Sequence, residues 1–144
     1  MVSPKERMKY WRDFRETLPG LDTREQIRRT IDCWYSWPIQ DRYLDMDDAE
    51  NWPTPWELIN DASICYLGRL YLLIETLHLS DPTNWTRDRF RFLYIKDDSA
   101  SEMYPVVIID NEYVIRSDVY EIQSYGVNIK ESTILVNFTK VLYN

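Results

Sequence analysis

The sequence predicts one α+β domain over residues 1–144, in which helices precede a C-terminal antiparallel sheet of three to five strands. Apolar residues recur at helical spacing up to about residue 78, and alternating strand patterns dominate after residue 88. No repeat, low-complexity run or linker separates these halves. A chain of 144 residues is also near the commonest size of a single domain.

Two amphipathic helices are predicted in the first 35 residues. The first spans about residues 4–18, where Ser3 is a suitable N-cap, Pro4 suits the first turn and Glu6 completes a capping box. The second spans about residues 23–34, with Asp22 as its N-cap. Both carry an apolar stripe, which indicates that each helix packs on a core.

The segment 35–53 is irregular, and it is rich in proline, tryptophan and acidic residues. Rigid segments of aromatic residues and proline dock well because they lose little conformational entropy. Trp37, Trp52 and Trp56 are therefore candidate interface residues. The alternative is that these side chains only anchor the segment to the core.

An acidic cluster in the same segment invites comparison with a calcium loop. Asp45 and Asp47 match the opening of such a loop, but Glu50 stands where its obligatory glycine belongs. We therefore predict a solvated acidic loop and no metal site. No cofactor is predicted either, because three glycines cannot form a phosphate-binding or dinucleotide motif.

The strongest helical pattern begins with the cap Thr54 and runs to about His78. Apolar residues surround it almost completely, which predicts a long central helix buried in the fold. Gly68 is expected to mark the close approach of a neighbouring element. Arg69 projects from the same helix and is expected to pair with an acid, since a buried guanidinium needs a partner.

Strand patterns follow from Phe90 to the C-terminus. Residues 90–94 alternate, and residues 105–109 and 112–115 flank Asp110-Asn111, which predicts a tight hairpin turn. Two further extended segments are predicted over residues 119–124 and 133–143.

Cysteine chemistry is the main enzymatic alternative. Cys65 on a helix that precedes a sheet follows the order of elements in transglutaminase-like and papain-like folds, where a histidine on a later strand serves the thiol. The only histidine, His78, follows Cys65 by thirteen residues, or about 20 Å along a continuous helix. The predicted helix would also bury Cys65 far from its N-terminus. This spacing favours an inert structural thiol, and Cys33 is expected to pack beside Trp34.

Charge excludes several partners. The formal net charge of −7 leaves no basic cluster for nucleic acid, and the most apolar stretch is short and interrupted by charge, which argues against a membrane role. Two cysteines give no disulfide framework, so we expect synthesis in a reducing cytoplasm.

The segment from Trp52 to Ile59, WPTPWELI, resembles small proteins of contractile-tailed phages. Those chains also follow it with a buried helix that holds a cysteine, and then with a strand pair like residues 106–115. The resemblance covers about residues 34–117 and carries over no catalytic residue. It implies a minor virion component of the neck, tail or baseplate.

The leading hypothesis is therefore a non-enzymatic structural or adaptor protein of a phage virion, made in the host cytoplasm and docked on other virion or host proteins in a multi-subunit assembly. One alternative is a transglutaminase-like cysteine acyl-transfer enzyme with Cys65 as nucleophile. The other is a small acidic inhibitor of a host protein.

Overall fold

The computed structural model describes residues 3–40, 44–62, 64–96, 103–126 and 134–138. The described helices are α1 (Pro4–Glu16), α2 (Thr23–Tyr35), α3 (Pro55–Asp61) and α4 (Tyr66–Ser80). The strands are β1 (Phe90–Lys96), β2 (Met103–Ile109), β3 (Tyr113–Arg116), β4 (Gln123–Ser124) and β5 (Ile134–Asn137). Short 3₁₀ turns occupy Ala49–Asn51 and Arg87–Arg89. This order confirms the predicted α+β class.

Side-chain caps start three of the helices where the sequence predicts them. Ser3 accepts a hydrogen bond from the first turn of α1, and Asp22 accepts one from the backbone of Glu25 at 2.8 Å. At α3, Thr54 and Glu57 form a reciprocal capping box with both bonds at 3.2 Å. These caps satisfy N–H groups that have no partner inside the helix.

The sheet has the strand order β4-β3-β2-β1-β5, and all its described pairings are antiparallel. The predicted hairpin is confirmed: Asp110 and Asn111 both take positive φ angles, 57° and 52°, in the turn between β2 and β3. Asparagine and aspartate tolerate this left-handed conformation better than most residues do.

Strand pairing is described over part of each of the two later predicted segments. Only Gln123–Ser124 of the predicted segment 119–124 pairs as β4, and β5 covers Ile134–Asn137 of the predicted segment 133–143. Residues 133 and 139–143 of that prediction lie outside the described residues.

Strand alternation divides the apolar residues between two faces of the sheet. The face toward the helices contributes Phe90, Phe92, Val107, Ile109 and Ile115 to the main core. The opposite face carries a second buried cluster made of Leu93, Ile95, Val106, Ile108 and Val114. The central strands are therefore apolar on both faces.

One hydroxyl connects three helices at the centre of the main core. Thr76 of α4 accepts hydrogen bonds from the indole N–H of Trp11 in α1 at 2.9 Å and of Trp34 in α2 at 3.0 Å. It also donates to the carbonyl of Leu72 at 2.6 Å.

Among the described residues, no helix is long and apolar enough to span a bilayer.

Candidate active site

The predicted continuous helix over residues 54–78 is wrong, because the chain breaks it into α3 and α4. Ala62 ends α3 in the left-handed region, with φ 53° and ψ 30°. Cys65 has an extended backbone and is the N-cap of α4. The thiol therefore lies at the start of a helix and not in the middle of one.

Distant residues hold this break in place. Arg7 of α1 donates to the carbonyl of Ile59 at 2.9 Å and to that of Asn60 at 2.6 Å. The backbone N–H of Gln40 donates to the carbonyl of Ile64 at 2.8 Å. The carbonyls that a longer helix would pair internally are thus paired by tertiary contacts. No glycine or proline marks the break, so the sequence gives no local sign of it.

The Cys65 side chain acts as the cap of α4. Its Sγ atom accepts a hydrogen bond from the backbone N–H of Gly68 at 3.3 Å, and the side chain is only partly buried. The first turn of a helix has N–H groups without partners inside the helix, and the Cys65 side chain pairs with one of them. The predicted burial of Cys65 within a long helix is therefore wrong.

Cys65 lines a pocket of about 280 Å³ between the start of α4 and the sheet. Tyr94 of β1 and Pro105 of β2, which face each other in the strand pairing, form one wall. Leu44 and Met46 form another, and the start of α4 completes the lining. These wall residues carry no signal in the sequence, because they come together only when α4 packs on the sheet.

His78 lies at the opposite end of α4 from Cys65, as predicted. Its Nδ1 atom is 2.8 Å from the carbonyl oxygen of Trp85, with which it shares a hydrogen bond. It is the only histidine of the chain, so no imidazole faces the thiol. The strand residues that do face it are Tyr94 and Pro105.

Cys33 is the inert thiol of the chain. It is buried in α2, and burial raises its pKa to about 12 from an ordinary value of 9.0. A thiol with so high a pKa stays protonated and is a poor nucleophile at neutral pH. It belongs to the same core cluster as Trp34, in line with the prediction.

Arg69 has no acidic partner among the described residues, which do not include Asp41 of the acidic segment, so the predicted ion pair is not confirmed. The guanidinium donates to the carbonyl of Ser117 at 2.9 Å and to that of Trp37 at 3.0 Å. Its centre also lies 4.6 Å from the ring of Tyr35. Burial lowers the pKa of Arg69. Carbonyl dipoles and an aromatic face take the place of a carboxylate.

The three candidate interface tryptophans lie apart. Trp37 is half-buried against Trp34, and Trp52 is half-buried against Phe92 and Phe138. Trp56 of α3 is 46% exposed. An interface role for these side chains stays a prediction, and Trp56 has the most surface to offer.

Comparisons with known proteins identify a structural likeness. No family model matches the chain, and no curated protein matches it. Solved structures of LapG from Legionella pneumophila do share its fold. The calcium-bound form superposes with a TM-score of 0.71 at 15% identity, covering 90% of this chain and 74% of LapG. A second LapG structure and an EGTA-treated one each give 0.69 at 14% identity, covering 95% and 73%.

These matches correct the phage hypothesis. The solved structures that share this fold are of LapG and not of a neck, tail or baseplate protein, which agrees better with the transglutaminase-like alternative than with the leading hypothesis. The resemblance of the segment from Trp52 to Ile59 to phage proteins was therefore misleading, as was the conclusion that the chain is not an enzyme. The segment reflects a well-capped α3, which many unrelated proteins can share.

The described residues do not fit a calcium ion. They contain no group of three or more histidine, cysteine, aspartate or glutamate side chains placed to hold a metal. Asp45 instead accepts a hydrogen bond from the backbone of Asp47 at 2.9 Å, and Asp48 accepts one from Asn51 at 2.8 Å. These carboxylates stabilise turns in their own segment.

Proposed function

We propose that this protein is a transglutaminase-like cysteine enzyme that forms an acyl thioester on Cys65. The observation that carries the proposal is the placement of a partly exposed thiol at the first turn of α4, in a pocket walled by β1 and β2. The LapG-like fold supports the same reading.

The chemistry begins with loss of the thiol proton to water. The thiolate attacks the carbonyl carbon of the acyl donor, and a carbon–sulfur bond forms. The bond to the leaving group then breaks, and the leaving group departs with its electron pair. Water or an amine attacks the thioester next, which releases an acid or an amide and restores the thiol.

The missing imidazole determines which donors react well. An amide releases an amine only when a general acid protonates it, and positioned acid–base catalysis contributes about 10²–10⁴-fold. His78 is too far from Cys65 to supply that proton. Thioesters and activated esters have stable leaving groups and need no such acid. We therefore assign the site to activated acyl donors in preference to peptide amides.

The pocket beside the sulfur favours an apolar acyl group. Leu44, Met46 and Leu67 line it with Tyr94 and Pro105, and no charged side chain is among its lining residues. A charged acyl group would lose hydration there without gaining a partner. A volume of about 280 Å³ suits one bulky apolar side chain or a short acyl chain.

Acylation by p-nitrophenyl hexanoate tests the proposal. We expect a mass increase on the intact protein, quenched in acid while donor remains, that peptide mapping assigns to Cys65. Hexanoyl p-nitroanilide, which carries the same acyl group on an amide, should react at least about 100-fold more slowly. Cys65→Ala should lose the adduct, whereas the matched variant Cys33→Ala should keep it, because Cys33 is buried.

Either of two results would reject this function. One is an unmodified Cys65 in the acid-quenched native protein together with no release of p-nitrophenolate above that of Cys65→Ala. The other is equal labelling of Cys33 and Cys65, which would mean that the placement of Cys65 confers no reactivity.

A further inference from the structure

A second concave surface lies away from the thiol, between α1 and Trp56 of α3. This groove has a volume of about 460 Å³. Two tryptophans and four basic side chains of α1 line it: Trp11, Trp56, Lys5, Lys9, Arg12 and Arg15. We call this surface the α1 groove. No step of the proposed acyl transfer uses it.

The basic side chains form a row along one face of α1. Lys5, Lys9 and Arg12 follow at intervals of four and three residues, and Arg15 adds another three. The row therefore extends about 15 Å at 1.5 Å per residue. The groove therefore carries four positive charges, although the net charge of the whole chain is −7.

Local acids neutralise this row only in part. Asp13 pairs with Lys9 at 2.8 Å and approaches Arg12 at 3.8 Å, and these exposed pairs are weak in water. Among the described residues, Lys5 and Arg15 form no ion pair. The Nε atom of Arg15 is enclosed and has no hydrogen-bond partner. The groove lining itself contains no carboxylate.

The tryptophans give the groove an apolar wall. Trp11 is fixed, because its indole N–H is bonded to Thr76 and its ring lies 4.3 Å from the Arg15 guanidinium. Trp56 meets Trp11 edge to face at 5.6 Å, yet it remains 46% exposed. An exposed indole beside a fixed one offers contact area at little entropic cost.

We propose that the α1 groove docks an acidic peptide segment of a partner protein. The row of about 15 Å matches four or five residues of an extended peptide at about 3.3 Å each. Carboxylates of the peptide pair with Lys5, Arg12 and Arg15, and an apolar side chain packs on Trp56. The strong negative charge of the rest of the molecule disfavours a nucleic acid, whose charge extends well beyond the groove.

Fluorescence anisotropy with a labelled hexapeptide of alternating glutamate and leucine tests this surface. We expect saturable binding that weakens at least tenfold when salt rises from 50 to 300 mM. The double variant Lys5→Glu/Arg12→Glu and the variant Trp56→Ala should each lose at least tenfold in affinity. All three side chains are exposed, so the variants should unfold at the wild-type temperature.

A charge reversal elsewhere supplies the matched control. Arg24 is an exposed residue of α2 outside the groove, and Arg24→Glu changes the net charge by the same amount per site. This variant should bind the peptide within about twofold of wild type. The proposal fails if the peptide does not bind at low salt, or if Arg24→Glu weakens binding as much as the groove variants do. It also fails if a single-stranded oligonucleotide competes more strongly than the peptide, because the groove would then bind nucleic acid.

Discussion

The hydroxyl of Thr76 shows how one polar atom can set the packing of a core. A threonine hydroxyl can donate one hydrogen bond and accept two, and Thr76 uses all three through Leu72, Trp11 and Trp34. The two buried indoles have no other hydrogen-bond acceptor among the described residues. The residue is fully buried, so water cannot replace the hydroxyl.

Replacing Thr76 by valine tests this arrangement. Thr76→Val keeps the shape of the side chain but leaves two buried indole N–H groups unpaired, and each costs about 1–3 kcal/mol. We expect urea unfolding to show a loss of roughly 2–4 kcal/mol. Thr76→Ser keeps the hydroxyl and should lose only about 1 kcal/mol for the missing methyl group. A valine variant as stable as the serine variant would contradict this account.

The buried thiol of Cys33 should make the free energy of unfolding depend on pH in the alkaline range. Burial raises its pKa to about 12 in the folded chain, above the ordinary value of 9.0 that applies when the chain is unfolded. Its contribution is therefore fully present below pH 9 and is lost as pH rises toward 12. The hydroxyl of Tyr10 is its hydrogen-bonding neighbour.

Unfolding in urea at pH 8 and pH 10 measures this effect. We expect wild type to lose about 1 kcal/mol more than Cys33→Ala does over this range, because only wild type has the buried thiol to ionise on unfolding. Burial also raises the pKa of Tyr71 to about 12, so a loss shared by both proteins should appear near pH 10 and above. Equal losses in the two proteins below pH 10 would contradict the prediction.

At the scale of elements, the break between α3 and α4 determines the chemistry of the chain. The break creates the free helix start at which Cys65 lies. Arg7 stabilises it from 52 residues away by pairing with the last carbonyls of α3. The position of the thiol therefore depends on the docking of α1 as much as on its own segment.

Arg7→Leu should loosen this break. The change leaves the carbonyls of Ile59 and Asn60 without these donors, at a cost of about 1–3 kcal/mol in unfolding free energy. We also expect the alkylation rate of Cys65 by iodoacetamide to change at least threefold. The nearby exposed variant Lys9→Leu, which breaks only a surface ion pair, should alter neither quantity appreciably. An unchanged alkylation rate of Cys65 in Arg7→Leu would show that Arg7 does not determine the position of the thiol.

Elements with local signals could be predicted from the sequence, and the break could not. The caps at Ser3, Asp22 and Thr54 and the turn at Asp110-Asn111 depend on neighbouring residues, so the pattern reveals them. The left-handed Ala62 has no sequence signature, because the residues that hold the break, Arg7 and Gln40, are distant in the sequence. An apolar pattern on both sides of the break therefore resembled one long helix.

For the whole molecule, the predicted class and strand number were right, but the predicted function was wrong. The prediction that the protein is not an enzyme depends on Cys65 lying in the middle of a long buried helix. Because the chain forms two helices, α3 and α4, Cys65 instead lines a pocket beside the sheet. The walls of that pocket come from residues 44–46, α4, β1 and β2, and no sequence spacing brings them together. His78 is remote from Cys65, as predicted, because Cys65 caps the start of α4 and His78 lies in the last turn of that helix.

The shared bonding of Trp11 and Trp34 to Thr76 also limits how the protein can move. Since α1, α2 and α4 meet at one oxygen atom, a displacement of α4 must carry the other two helices with it or break two buried bonds. We therefore expect α1, α2 and α4 to move together. Under the proposed acyl transfer, bulkier donors would have to be admitted by side-chain rearrangement at Leu44 and Met46, so the tolerance for donor size should be set by these two residues.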